Sequence, residues 1–150
     1  MYEIQIKNLA EIQKLFEQYP RESAVHFGEA ISQTLITAQR YAIQGAPRDT
    51  GKLMASWRLN VGIMRGELVN TTSYAYWVAV GRRPGSWPPM KEITKWANRK
   101  GIPPFLVARK IKEKGTEPNP FFDNAVKLAE VYSEVAFKTA MEKTIKSIVK

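Results

Sequence analysis

The sequence predicts an α+β fold, an antiparallel β-sheet packed by two long helices with a small basic helical hairpin inserted. Three observations carry this expectation. Residues 24–43 set Val25, Ile31, Leu35, Ala38 and Ala42 on one helical face. Over residues 57–63, Trp57, Leu59, Val61 and Ile63 alternate with Arg58, Asn60 and Gly62, the period of a half-buried strand. From residue 121 onward, Phe121, Ala125, Leu128, Tyr132 and Val135 return at spacings of four and three, a second helical stripe that reads as core.

The elements follow in order. YEIQIKNL at the start alternates enough for a short strand or an extended arm. Asn8 then caps a helix whose face is Leu9, Ile12, Leu15 and Phe16, stopped near Pro20. Pro20 also suits the first position of the next helix, which runs to about residue 43. Gly45 just past it, with Pro47 two residues on, is a stop signal, because glycine takes a left-handed cap at little cost.

The stretch GAPRDTGKL that follows has the look of a phosphate loop and fails as one. Gly45 and Gly51 are one residue too far apart, Pro47 removes a donor, and Leu53 stands where the hydroxyl should be. A turn fits better, with Asp49 accepting the Gly51 N–H and Thr50 stabilising the same bend.

The strand from residue 57 turns at Arg65-Gly66, and ELVN begins the return, so 56–70 reads as a hairpin. SYAYWVAVG is β-prone, yet Ser73 could cap a helical turn closed by Gly81, and both readings stay open. PMKEITKWANRK, with Ile93, Trp96 and Ala97 on one face, and FLVARKIKEK, with Leu106, Val107 and Ile111, read as two short helices joined at GIPP. In the last segment Asn119 is a good N-cap and Pro120 a good first residue. Asp123 places negative charge in the first turn. Beyond Lys138 the apolar positions drift to Met141, Ile145 and Ile148, which points to packing on another surface or a neighbouring subunit.

A chain of 150 residues supports a single domain with a real core. Within it, residues 1–19 form an arm, 20–81 and 116–150 the core, and 82–115 the insertion. Apolar residues at 44% and charged residues at 25% are ordinary for a folded protein. With no cysteine and one histidine, disulfides, thiolate metal sites and His-based metal clusters are excluded. Targeting signals and membrane spans are absent, so the expected place of synthesis is the cytoplasm.

The net charge of +9 is concentrated: residues 82–115 carry ten basic and two acidic side chains. Such a segment favours anionic partners, nucleic acid among them, although a solvated face that keeps the chain soluble is the plainer account. No cofactor or metal is expected. Neither is catalysis: His26 falls within the long helix as a partly buried or surface residue, Asp49 and Asp123 have capping roles, and the other acids are glutamates, mostly on helix faces.

Three separated stretches, APRDTGKLMASW, NTTSYAYWVAVG and KGTEPNPFFDNAV, resemble in order and spacing the "AP-x-DTG-x-L", "YA-x-x-V-x-x-G" and "GT-x-x-x-PF-x-x-A" signatures of the small tail-completion, or head–tail joining, proteins of long-tailed bacteriophages. The similarity covers about residues 24–135, and W-A-x-x-K-G-I within the basic segment is similar to an insertion found in many members. Where the family often carries Glu and then Gly-Thr, this chain has Ala79 and Gly81-Arg82.

The resemblance implies a structural, non-enzymatic α+β subunit. It would be made in the host cytoplasm and built into the virion as a homo-oligomeric ring at the head–tail junction. Its partners would be copies of itself, the tail tube or tail terminator, and the head connector, with nonspecific contact to genome DNA and none to a membrane. Asp49, Thr50, Gly51, Tyr74, Trp77, Gly81, Trp87, Thr116, Pro120 and Phe121 become candidate subunit or partner contacts, and Arg82, Arg83, Arg109, Lys110 and Lys112 candidate DNA-facing residues. A second reading from the residues alone is a small helix-turn-helix-like DNA-binding regulator using 89–114.

Overall fold

The computed structural model describes residues 4, 7 and 9–149. Among them run α1 (Leu9–Gln18), α2 (Pro20–Gly45), α3 (Lys52–Ala55), β1 (Trp57–Val61), β2 (Gly66–Asn70), α4 (Ala75–Val80), α5 (Met90–Arg99), α6 (Pro104–Lys114) and α7 (Phe121–Ile148). The fold is the expected α+β arrangement, helices packed on a two-stranded antiparallel sheet. The strand or arm expected over YEIQIKNL and the Asn8 cap lie outside the described residues, of which only Ile4 and Lys7 precede Leu9. The chain forms two compact units, Met1–Thr72 with Phe121–Lys150, and Ser73–Pro120.

The first unit is built on α2 and α7. They run antiparallel: Phe27, early in α2, meets Phe137, late in α7, with ring centres 6.0 Å apart, while Gly45 at the end of α2 faces Phe121 at the start of α7. The buried face of α2 is Ser23, Phe27, Ala30, Thr34, Leu35, Ala38 and Ala42. That of α7 is Phe121, Ala125, Ala129, Ser133, Phe137, Ala140 and Thr144. Most of these residues are small and recur every three or four positions, so the two backbones approach closely over many turns.

The polar members of this seam turn back on their own helices. Thr34 Oγ1 donates to the Ala30 carbonyl and Thr144 Oγ1 to that of Ala140, each at 2.8 Å, so burial leaves no hydroxyl hydrogen unpaired. Ser23 Oγ instead reaches the Leu15 carbonyl and ties α1 to α2. Ile12, Phe27, Ala30, Phe137 and Ala140 form a buried apolar cluster, flanked by Leu15, Phe16 and Met141.

The seam corrects the two expected stripes. Val25 on α2 and Leu128, Tyr132 and Val135 on α7 are exposed. The contact is made by the small residues beside them, which a search for large apolar side chains passes over. Toward the C-terminus of α7, Met141 packs on the core and Thr144 continues the seam, while Ile145 is exposed.

The hairpin pairs Trp57 with Asn70 through Val61 with Gly66. Trp57 is its one buried β1 residue, stacked on Phe122 at 5.3 Å and edge-on to Phe121 at 6.4 Å. Leu59, Val61 and Ile63 are exposed, contrary to the half-buried strand expected, because a two-stranded ribbon reaches the helices only at one end and along β2. Gly66 belongs to β2 and not to the turn. A Cβ there would lie 2.6 Å from Ile31 Cγ2 and Leu35 Cδ1, so glycine lets the strand touch α2. The turn itself lies at 62–65, where the Gly62 N–H donates to the Arg65 carbonyl.

The stop after α2 also differs in detail. Gly45 is the last helical residue and is absent from the left-handed glycines, whereas Gly51 has φ 75° and opens the short α3. A Cβ on Gly45 would press on Phe121 Cβ at 3.1 Å, so its smallness serves the contact with α7.

The second unit holds α4, α5 and α6. SYAYWVAVG forms α4, with Tyr74 at its N-cap and no side-chain cap from Ser73. The α5–α6 connection closes as a Schellman turn: Gly101, φ 67°, donates to Asn98 and Ile102 donates to Ala97. Ala97 on α5 and Ala108 on α6 are buried, Ile93, Trp96, Val107 and Ile111 half-buried, and Leu106 exposed.

Candidate functional surfaces

In the first unit, the AP-x-DTG-x-L stretch is a junction between α2 and α3. Ala46 and Leu53 are buried and anchor it. Thr50 Oγ1 accepts the Lys52 N–H at 3.4 Å, the Gly51 carbonyl accepts the Ala55 N–H at 3.0 Å, and Ser56 Oγ donates to the Lys52 carbonyl. Asp49 and Thr50 stand exposed at this turn. Phe121, named with them as a contact candidate, is instead buried against Trp57 within the same unit. Its place in the pattern follows from packing.

Two groups of exposed apolar side chains stand out in this unit, beside the scattered Leu9, Val25, Ile36, Ile145 and Val149. One lies on α7: Leu128, Val131, Tyr132 and Val135, with Val131 69% exposed and Val135 65% exposed. The other lies on the hairpin: Leu59 and Val61 on one face of the ribbon, Val69 on the opposite face, and Ile63 and Met64 at the turn. Beside Tyr132 and Val135 a small groove of about 180 Å³ runs between α2 and α7, lined by His26, Glu29, Gln33 and Lys143. His26 is half-buried there, and Lys143 Nζ stands 3.7 Å from Glu29. No cluster of metal-ligating side chains occurs among the described residues.

In the second unit, the YA and GT stretches meet. Arg82 and Thr116 form an isolated antiparallel bridge, each backbone N–H donating to the other's carbonyl at 3.2 and 2.9 Å, and Thr116 Oγ1 also accepts from the Arg82 N–H. Gly81 and Gly115 flank the bridge with φ 72° and 74°, and a Cβ on either would sit within 2.4 Å of the opposing carbonyl oxygen. Only glycine fits both the left-handed backbone and the close approach. The Asn119 N–H, just beyond, donates to the Val78 carbonyl. Asn119 and Pro120 precede α7, whose first residue is Phe121.

Beside the bridge lies an open cleft of roughly 790 Å³ lined by Tyr76, Trp77, Arg82, Arg83, Ser86 and Thr116, with other loop residues. Arg82 organises one wall. Its guanidinium lies 5.1 Å from the Trp77 ring centre, and its Nη2 donates to Ser86 Oγ and the Trp87 carbonyl. Lys112 does the same for the other side of the loop: its carbonyl accepts the Gly85 N–H, and its Nζ stands 4.8 Å over the Trp87 ring. Arg82 and Lys112 therefore hold the loop as well as carrying charge.

Arg83 and Lys110 are exposed, and Arg109 makes a loose ion pair with Glu113 at 3.7 Å. Ten basic and three acidic side chains make this unit the positive part of the chain. Two members of the surface escaped the sequence reading: Tyr76, edge-on to Trp77 at 5.1 Å, and Phe105, 5.7 Å from Trp87. Phe105 follows two prolines and shares one side of α6 with Arg109 and the half-buried Lys112, a spacing of four and seven that could have marked it.

No family model matches the chain, and neither a curated protein nor a solved structure matches it. Among the described residues no helix is long and apolar enough to cross a membrane.

Proposed function

We propose that the chain is a non-enzymatic structural subunit of a phage virion, one that forms a ring at the head–tail junction, completes the tail and joins it to the head connector. The observation that carries this reading is the pair of unlike apolar surfaces on the first unit, the α7 stripe and the hairpin. Patches of this kind mark association sites, and two different patches on one subunit suit a head-to-tail contact between copies, which closes into a ring. The three signature-like stretches support it from another side, since each sits at a junction that glycine, a buried Ala or Leu, or an aromatic pair fixes in place. In such a ring the basic unit would meet passing DNA through phosphates, without sequence readout.

The test is molar mass in solution across a concentration series, by light scattering after size exclusion, for the parent chain and for Val131→Glu. The expected result is a discrete oligomer larger than a dimer, reduced to monomer by the substitution. A chain that stays monomeric even with tail tubes or connectors added defeats the proposal. A stable dimer that prefers one operator sequence would favour a regulator reading through 89–114 instead.

A further inference from the structure

We propose that the Ser73–Pro120 unit binds single-stranded nucleic acid, with its exposed aromatic rings as stacking platforms for unpaired bases and the neighbouring cations as phosphate contacts. The inference goes beyond the ring reading and does not depend on it. Charge alone would fit any anion. What narrows the choice is the interleaving of rings with cations: Tyr76 is 64% exposed, Trp77 45%, Trp87 44% and Phe105 58%, and all four stand on the most basic part of the chain.

Duplex DNA hides its base faces, so a surface built only for duplex phosphates has no use for exposed rings. A single strand offers both parts, phosphates for Arg83, Arg109 and Lys110 and bases for the rings. The geometry is consistent along α6, where the exposed Phe105 and Arg109 and the half-buried Lys112 share one side at intervals of four and three, with Trp87 beside Phe105 at an interplanar angle of 34°. The Arg109–Glu113 pair is solvent-exposed on both sides, so a phosphate replaces the carboxylate at little cost.

An anionic membrane surface would also match aromatic and basic residues. It fits worse, because Arg82 and Lys112 lie over the Trp77 and Trp87 rings, and burying those rings in acyl chains would drag the cations with them.

The experiment titrates the full chain with a labelled oligothymidylate of about 15 nucleotides and with a duplex of equal length, reading anisotropy and tryptophan quenching at several salt concentrations. The expected result is tighter binding of the single strand, with quenching, and affinity that falls with salt. Phe105→Ala should weaken single-strand binding about tenfold and Phe105→Trp restore it, whereas Lys110→Gln should lower the salt slope by about one.

The proposal is overturned if duplex binds as well as the single strand. Loss of less than roughly twofold in Phe105→Ala, or binding to anionic vesicles and not to oligothymidylate, also overturns it. The parent-chain comparison requires no variant to fold. A ring that ignores oligothymidylate defeats this inference and leaves the ring reading intact, and a chain that binds it yet stays monomeric with tail tubes or connectors added does the reverse.

Discussion

In the first unit the two long helices meet through buried faces made mostly of Ala, Ser and Thr, with Phe27 packed on the Phe16 and Phe137 rings. In the second the prominent contacts are between backbones: the Arg82–Thr116 bridge, the Gly85–Lys112 bond and the Schellman turn after α5. The first unit buries Phe27, Trp57, Phe121 and Phe137 in its core while leaving an α7 stripe and most of the hairpin's apolar side chains exposed. The second is held by glycines and carbonyls, with Ala97 and Ala108 as its buried helical residues, and so leaves its aromatic and basic side chains at the surface. Four exposed aromatic rings on a unit with ten basic side chains are tolerable because its buried helical positions are filled by Ala97 and Ala108.

The largest effect should come from the first unit. Phe27 is fully buried and touches aromatic rings on two helices, so Phe27→Ala is expected to cost about 3–5 kcal/mol in denaturant unfolding. A cost below about 1 kcal/mol would mean that the small-residue seam alone carries the unit, and would break the contrast. Next comes Gly115→Ala, whose Cβ would lie 2.1 Å from the Arg82 carbonyl oxygen on a left-handed backbone. The expected cost is about 2–3 kcal/mol, confined to the second unit. Amide hydrogen exchange should therefore accelerate at Arg82, Gly85 and Thr116 and stay unchanged at Ala30 and Thr34. Equal acceleration in both units would show that the bridge supports the whole chain.

Several features were legible in the sequence because they are local. The two long helices follow from periodicity, the hairpin from its alternation, and Gly81 from its place at the end of an apolar run. The faces of the helices were not legible to the same degree. Leu128, Tyr132 and Val135 advertise themselves as core, yet Ala129 and Ser133 are buried, because which side of an amphipathic helix is covered depends on how closely its partner can approach. The candidate surface divides in the same way. Trp77, Trp87 and the basic run can be read directly from the chain, while the contacts of Arg82 with Trp77 and of Phe105 with Trp87 depend on how turns bring separate segments together. Gly66 was misread as a turn residue for the same reason, since what requires it is α2, more than thirty residues earlier in the chain.

Gly66 also supplies the sharpest small test of the contrast. Its hypothetical Cβ overlaps Ile31 Cγ2 and Leu35 Cδ1 at 2.6 Å; Leu35 Cδ1 is a side-chain tip that can rotate away, whereas Ile31 Cγ2 moves only with the stiff χ1 of a β-branched residue in a helix. Its φ lies outside the left-handed range, so alanine adds no backbone strain, and the loss of glycine's freedom in the unfolded chain works in favour of folding. Gly66→Ala should therefore cost about 1–2 kcal/mol, less than Gly115→Ala, whose Cβ would meet a backbone oxygen on a left-handed residue. The deciding comparison is the two unfolding free energies measured side by side. If Gly66→Ala proves as costly as Gly115→Ala, side-chain contacts between β2 and α2 are as unyielding as the backbone bridge, and the two units are held by the same kind of constraint after all.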